Sequence, residues 1–287
     1  MIAGLTPWRV GKVRTVYDLG ERLVVVASDR LSAYDSILPT PIPDKGRVLT
    51  ALSAYWFGTL RAAQPHHLIS TDIEELPPTF RSQPELRGRT MLCRKAERVD
   101  VECVVRGYLT GAGWREYREH GTLHGRSLPP GLHDGSKLDR PAFTPTTKAE
   151  QGHDEPIPHG GLPALVGEEL AQALERRSLA LYEEAHDIAL QRGLVLADTK
   201  FEFGFVDGAL TLIDELLSPD SSRYWDLEHF DAGRLVSFDK QYVRDWLDRS
   251  GWNHDPPAPA LPDDVVAATR ARYLEAARRF LGAEWTP

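Results

Sequence analysis

The sequence predicts an α+β protein. Runs of β-rich residues dominate its first third and helix-period runs its last third, with no regular strand–helix–strand alternation between them. Residues 197–204, ADTKFEFG, alternate charged and aromatic side chains with period two, the pattern of a strand with two unlike faces. Residues 168–192 carry Leu170, Leu174, Leu181, Ala185 and Ile188 as one apolar stripe at helical spacing, and Gly193 stands ready to close that helix.

In chain order, 12–28 (KVRTVYDLGERLVVVAS) predicts a hairpin turning near Gly20. The Pro-rich ILPTPIPDKG predicts a loop, and LTALSAYWFGTLRAA a helix over 49–63. Two strands are expected at 90–95 and 100–106. Residues 121–163 are rich in Gly, Pro and His and weakly periodic, which predicts a long ordered loop of the kind that often carries function. After the charged strand, ALTLIDELL predicts a second strand. A helix near 239–249 with Ser237 as its N-cap and a helix over 263–281 complete the chain. A boundary near 95–105 divides this order into a β-rich N-terminal lobe, 1–98, and a larger C-terminal lobe, 99–287.

Composition excludes several classes. No apolar run approaches the roughly 20 residues that cross a membrane, and MIAGLTPWRVGK has no apolar core of a secretory leader. Cys93 and Cys103 match no metal or redox spacing, which fits a reducing cytoplasm. A net charge of -8 argues against nucleic acid as the main partner. Small molecules are the expected partners and a monomer the favoured state. Walker A, GxGxxG, GxSxG, HExxH and the kinase HRD and DFG motifs are absent.

The 34 basic residues are 27 Arg and only 7 Lys. Where Arg is so strongly preferred, a Lys suggests a need for a compact point charge on phosphate or carboxylate. Lys12, Lys45, Lys148, Lys200 and Lys240 all lie in segments dense with polar groups. In GKVRTVYD, Lys12 and Arg14 share one strand face, suited to a polyphosphate or to an ordinary solvated hairpin. In ASDRLSAYD, Asp29, Arg30 and Asp35 crowd a strand end. In VECVVRGYLTGAGW, Arg106 runs into Gly107, Gly111 and Gly113, whose backbone can approach a ligand closely. FTPTTKAEQGHDE mixes hydroxyls, Lys148, His153 and acids.

Asp214 and Glu215 end an apolar strand, where carboxylates are costly unless paired or bound to a metal. With Glu202 they suit Mg²⁺, which takes few protein carboxylates beside phosphate oxygens. SPDSSR follows, with Arg223 placed for a phosphate monoester. Asp207-Gly208 marks the turn between the two strands. A three-residue loop, Val206-Asp207-Gly208 with Gly208 at positive φ, would set Lys200 opposite Asp214. It would place Asp198, Lys200, Glu202 and Asp214 on a ligand face and Phe201, Phe203 and Ile213 on the core face.

The blocks GKVRTVYD, SDRLSAYDSILPTPIPDKG, VECVVRGYLTGAGW, FTPTTKAEQGHDE, LADTKFEFG, LIDELLSPDSSRYW and SFDKQYVRDWL, in this order, resemble the phosphoribosylaminoimidazole-succinocarboxamide synthase (SAICAR synthetase) family over nearly the whole chain. The resemblance implies an N-terminal lobe like that of protein kinases with ATP between the lobes. It implies a ligase that joins L-aspartate to the carboxylate of carboxyaminoimidazole ribotide (CAIR) at the expense of ATP. It places Lys12 and Arg14 near the ATP phosphates, the 94–98 connector with Lys95 and Ala96 at adenine, and Glu102 in the nucleotide site. Glu202 and Asp214 correspond to Mg²⁺ carboxylates. Arg106, Gly111, Lys148, Ser222 and Arg223 fall around CAIR and its phosphate, together with Asp198 and Lys200. Lys200 would hold the reacting carboxylate or the γ-phosphate, and Asp198 and Asp35 are candidates for the base. Ala112 departs from the family's usual Ser and Thr15 from a common Asp. A small-molecule kinase using the same nucleotide and Mg²⁺ site is the alternative. A non-catalytic nucleotide-binding regulator is disfavoured by the intact set Lys200, Glu202 and Asp214.

Overall fold

The computed structural model describes residues 5–148 and 155–287; His153 and its neighbours lie outside the described residues. Strands β1 (Arg14–Asp18) and β2 (Arg22–Ala27) form the expected hairpin. Helix α1 (Lys45–Thr59) follows, then β3 (Leu68–Ser70) and β4 (Thr90–Arg94). A five-stranded antiparallel sheet runs Arg9–Val10, β1, β2, β4, β3. Tyr17, Val24, Phe80, Leu86 and Leu92 pack a small core on it.

The second sheet has seven strands. Its path runs from β6 (Lys137–Phe143) through β5 (Val101–Tyr108) and β7 (Leu194–Val206) to β8 (Ala209–Ile213), and β9 (Ser222–Asp226) also pairs with β7. Helices α2 (Gly111–His120) and α3 (Glu168–Gln191) precede β7; α4 (Gln241–Arg249) and α5 (Asp263–Leu281) end the chain. One face of this sheet is the main core. Phe201, Phe203, Leu212 and Cys103 meet Leu52 and Trp56 of α1, Leu174 and Leu181 of α3, and Tyr273 and Phe280 of α5.

β7 has different neighbours along its length. On one edge it pairs with β5 over 198–201 and Glu97–Arg98 over 204–205. On the other it pairs with β9 over 194–199 and with β8 over 202–206. Between those two partners the loop 214–221 closes the gap, and Lys200 N–H donates to the Ser221 carbonyl.

Three expectations need correction. The β7–β8 turn has two residues, not three: Val206 pairs with Ala209 and Glu202 with Ile213. Asp207 at φ 51 tolerates the left-handed region beside Gly208 at φ 77, so the tight turn with two positive φ values forms instead of the bulged loop. Gly208 thus has the expected sign, but Ile213 lies opposite Glu202 and Leu212 replaces it in the core. The N-cap of α4 is Lys240, not Ser237, and Asp239 Oδ1 accepts from Gln241 N–H. The 121–163 stretch is not only loop: it holds β6, short strands and the helix Leu162–Val166.

Candidate active site

Strict alternation from Ile213 would send Asp214 to the core side of the sheet. Its φ of 68 breaks the alternation, and its carboxylate instead receives both guanidinium nitrogens of Arg14, with Nη2–Oδ2 at 2.9 Å. Arg14 Nη2 also reaches Glu215 Oε1 at 3.2 Å. Strand β1 of the small sheet is thereby tied to the loop that fills the gap beside β7. His67 adds to the junction: its ring Nε2 lies 3.0 Å from the Asp214 carbonyl, and burial holds it down at about 4 despite Asp214.

The outer face of the large sheet carries the charges of ADTKFEFG. Asp198 lies between Arg106 on β5 and Arg223 on β9 in the strand register, and both guanidinium groups donate to its Oδ2, Arg106 Nη1 at 2.8 Å. The Asp198 charge holds Arg223 above its ordinary value. Two residues along, Lys200 Nζ bridges Glu102 and Glu202, each at 2.8 Å, and Lys148 donates to the same Glu202 oxygen. Burial pushes the Lys200 ammonium down, but Glu202, Glu102 and Asp214 outweigh it and hold Lys200 above the usual lysine range. Glu202 is only 4% exposed; burial would raise its carboxyl, yet Lys200 and Lys148 keep it well below the usual range.

These groups open onto one cleft of about 670 Å³. Lys12, Arg14, Asp35, Glu102, Arg106, Lys148, Asp198, Lys200, Ser222 and Arg223 all line it. Glu202 lies beneath Lys148 and Lys200, and Asp214 beneath Arg14. Ser222 shares a 2.7 Å hydroxyl bond with Thr199. Gly111 starts α2 at φ 55 behind Arg223, beside a smaller hollow of about 410 Å³. Lys95 points to Asp18 at 2.6 Å and over the Trp8 ring, with its N–H given to the Glu21 carbonyl. Ala96 packs where a side chain on Gly204 would fall.

The cleft also uses residues that the motif reading left unassigned. Lys45, fully buried, donates to Asp220 at 2.6 Å, and Tyr273 donates to the other oxygen of Asp220. Burial would raise the Asp220 carboxyl, but Lys45, then Lys240 and Tyr273 hold it well down. Ser32, Asp239, Lys240 and Arg244 line the same cleft, as does Glu215, grouped above with Asp214 and Glu202. The scarcity of Lys flags Lys45 and Lys240; Asp239 and Arg244 carried no comparable signal.

Among the described residues no group of three or more His, Cys, Asp or Glu side chains gathers as a metal centre. Glu202 is ion-paired with Lys148 and Lys200, and Asp214 with Arg14. No helix is long and apolar enough to cross a membrane among the described residues.

A deep cleft with alternating cations and carboxylates, spanned from a hairpin lobe to the face of a larger sheet, defines an enzyme that handles phosphate groups between two bodies of structure. The chain belongs to the SAICAR synthetase family, whose model matches residues 8–259. A phosphoribosylaminoimidazole-succinocarboxamide synthase of Syntrophobacter fumaroxidans is 50% identical over 282 residues, covering 97% of this chain and 94% of that one. One from Streptomyces avermitilis is 51% identical over 293 residues, covering 99% and 96%. The solved SAICAR synthase of Saccharomyces cerevisiae, complexed with SAICAR, superposes with a TM-score of 0.88 at 37% identity, covering 100% of this chain and 98% of that one. A SAICAR synthetase in complex with ADP shares the fold, with a TM-score of 0.72 at 22% identity. None of these relatives supports the kinase alternative.

Proposed function

We propose that this chain joins L-aspartate to the carboxylate of CAIR, converting ATP to ADP and phosphate. The observation that carries the reading is the Asp198–Lys200–Glu202 face, with Arg106 and Arg223 at one end and Lys148, Glu102 and Arg14 at the other. Its cations Arg14, Arg106, Lys148, Lys200 and Arg223 are receptors for the anionic groups of phosphorylated substrates. Family membership supports the same activity.

A carboxylate does not acylate an amine in water, so it must first be activated. In the first step a CAIR carboxylate oxygen bonds to the γ-phosphorus, the bond from that phosphorus to the β-bridging oxygen breaks, and ADP leaves. In the second the aspartate nitrogen bonds to the acyl carbon, phosphate departs with one former carboxylate oxygen, and the nitrogen loses a proton. Lys12 and Arg14 hold the ATP phosphates. Arg106, Arg223 and Ser222 hold the ribotide phosphate, and Gly111 leaves room for Arg223. Lys200, held charged by its carboxylates, aligns the reacting carboxylate against the γ-phosphate. Mg²⁺ belongs on Glu202 and Asp214, where it would neutralise charge on the phosphates. Lys95 and Ala96, in the connector between the two sheets, are assigned to the adenine side and Glu102 to the nucleotide end. Asp35, ion-paired with Lys12, and Asp198 are the candidate proton acceptors for the amine.

The test is an ADP-release assay omitting each substrate in turn, with CAIR labelled by ¹⁸O in its carboxylate. ADP formation should require both CAIR and aspartate for sustained turnover, and the phosphate should carry one labelled oxygen. Unlabelled phosphate, or sustained turnover without aspartate, would refute the reading.

A further inference from the structure

The segment ASDRLSAYD ends in a turn built from unfavourable residues. Ser32 pairs with Ile37 and Ala33 with Ser36, so Tyr34 and Asp35 alone make the turn. Their φ values are 49 and 61. Two-residue turns with two positive φ values favour Asn or Asp followed by Gly, as at Asp207-Gly208. Tyr34 instead puts a bulky side chain in the left-handed region, where it persists only if its surroundings over-determine it.

The turn is held from two sides. Asp35 is ion-paired with Lys12 and lines the cleft with Ser32. Tyr34 meets the last turn of α4 and the residues that follow it. Its ring stacks on His254, with centroids 3.8 Å and planes 9° apart, and meets Trp252 edge-on at 6.3 Å. Its hydroxyl donates to Asp248 Oδ1 at 2.7 Å, and His254 Nε2 lies 3.1 Å from the same oxygen. Burial and then Asp248 push the Tyr34 hydroxyl up to about 12, so it remains a donor at neutral pH.

These contacts are not needed to bury apolar surface. Leu31, Ala33 and Leu38 already fix the base of the hairpin on Val243, Leu247 and Leu261. Asp248 and His254 are exposed, and contacts between exposed charged groups add little to stability. What they do fix is the tip. The same stretch of chain holds the turn that carries Lys12: Ser28 Oγ donates to the Val13 carbonyl at 2.7 Å, and Arg30 Nη2 to the Gly11 carbonyl at 3.0 Å. A tip free to relax its two positive φ values would carry Asp35 away from Lys12.

We infer that Tyr34, Asp248 and His254 are positioning residues, a clamp that holds the strained tip of the Ser32–Ile37 hairpin so that Asp35 meets Lys12 in the cleft. The inference rests on the ligase reading above, in which Lys12 holds the ATP phosphates and Asp35 is a candidate proton acceptor. The clamp residues need not touch a substrate.

Steady-state kinetics on the full chain, with urea unfolding of each variant, tests the clamp. Tyr34→Phe keeps the ring stack and loses only the donor. It should lower kcat about fivefold, the scale of one hydrogen bond, with the urea midpoint unchanged. KM for CAIR should stay within about twofold, because Arg106 and Arg223 are untouched. His254→Ala removes the stack and should act in the same direction. Asp248→Asn keeps an acceptor oxygen and should retain most of the turnover that Asp248→Ala loses. In Asp35→Asn, adding Tyr34→Phe should cause no further loss, since the positioned carboxylate is gone; a merely structural role would lower both backgrounds alike. Wild-type kcat in Tyr34→Phe, or a repeated fivefold loss in the Asp35→Asn background, would overturn the clamp and leave the ligase reading standing. A wild-type chain that makes no product from CAIR and L-aspartate would refute the ligase reading, and the clamp with it.

Discussion

Substituting Gly111 by Ala tests the site through a residue with no functional group. Gly111 has φ 55, and a methyl there would lie 2.5 Å from Arg223 Nη2 and 2.8 Å from Cζ. Gly208 provides the control: φ is 77 but nothing lies within 4 Å of the added methyl. A non-glycine residue in the left-handed region costs about 1–2 kcal/mol. Both Gly111→Ala and Gly208→Ala should therefore lose at least that much stability, read as a drop in urea midpoint with unchanged slope. Only Gly111→Ala has to move a guanidinium. Arg223 is the flexible partner and must yield, which takes it off Asp198 Oδ2 and out of its place in the cleft. Losing one hydrogen bond to a charged group costs about 1.5–3 kcal/mol, roughly 10- to 150-fold in kcat/KM for CAIR. The expected result is two destabilised variants, Gly111→Ala the more so through the lost Arg223–Asp198 contact, with Gly208→Ala close to full activity and Gly111→Ala impaired specifically toward CAIR, KM for ATP unchanged in both. Equal KM for CAIR in Gly111→Ala and wild type would refute the placement of Arg223 at the ribotide phosphate.

Further outcomes follow from the same geometry. Arg223→Lys keeps the charge but loses the planar fork, so KM for CAIR should rise far more than KM for ATP; equal rises would count against the assignment. Glu202→Gln and Asp214→Asn should each lower kcat by at least about 10²-fold, and Mg²⁺ titration should show weakened activation; near-normal turnover at ordinary Mg²⁺ would exclude them as its ligands. Lys45→Met leaves Asp220 buried without its ammonium partner and should cost about 3–5 kcal/mol in denaturant unfolding. His67 is neutral when folded and protonates on unfolding in the window between about 4 and its ordinary 6.5. The unfolded chain then binds the extra proton, so stability should fall as pH drops through that window, by up to about 3 kcal/mol. His67→Gln should flatten the dependence, and an unchanged pH profile would show that another group sets it.

Much of this site was visible in ADTKFEFG. Period-two alternation is a property of the strand itself, so Asp198, Lys200 and Glu202 could be assigned to one face and Phe201 and Phe203 to the other without knowing any partner. Helix α3 likewise follows from its apolar stripe, Leu170, Leu174, Leu181, Ala185 and Ile188, and its observed span Glu168–Gln191 matches the expected 168–192. Register was less legible, because it turns on whether Asp207 accepts a positive φ, which Asp can do and sequence does not decree. Asp214 reached the expected side for an unexpected reason, a single left-handed residue after the strand. The strands within 121–163 pair with distant partners, and their short runs carry too little periodicity to announce themselves. Asp239 and Arg244 were unreadable as site residues because their place depends on α4 docking against 31–42, some 200 residues earlier.

Helix α1 has a consequence for how the chain is made. It is encoded within the first 60 residues, between strands of the small sheet, but Leu52 and Trp56 are buried against the large sheet and α5. During synthesis, at about 5–20 residues per second, the apolar side of α1 emerges well before Tyr273 and Phe280 exist to cover it. For on the order of ten seconds or more the nascent chain would display Trp56 and its neighbours to whatever else is nearby. The N-terminal portion therefore has little prospect of completing its structure ahead of the rest. A ribosome-bound chain halted before α5 should be protease-sensitive within α1 and a good client for chaperones, and release of the last helix should remove both traits together.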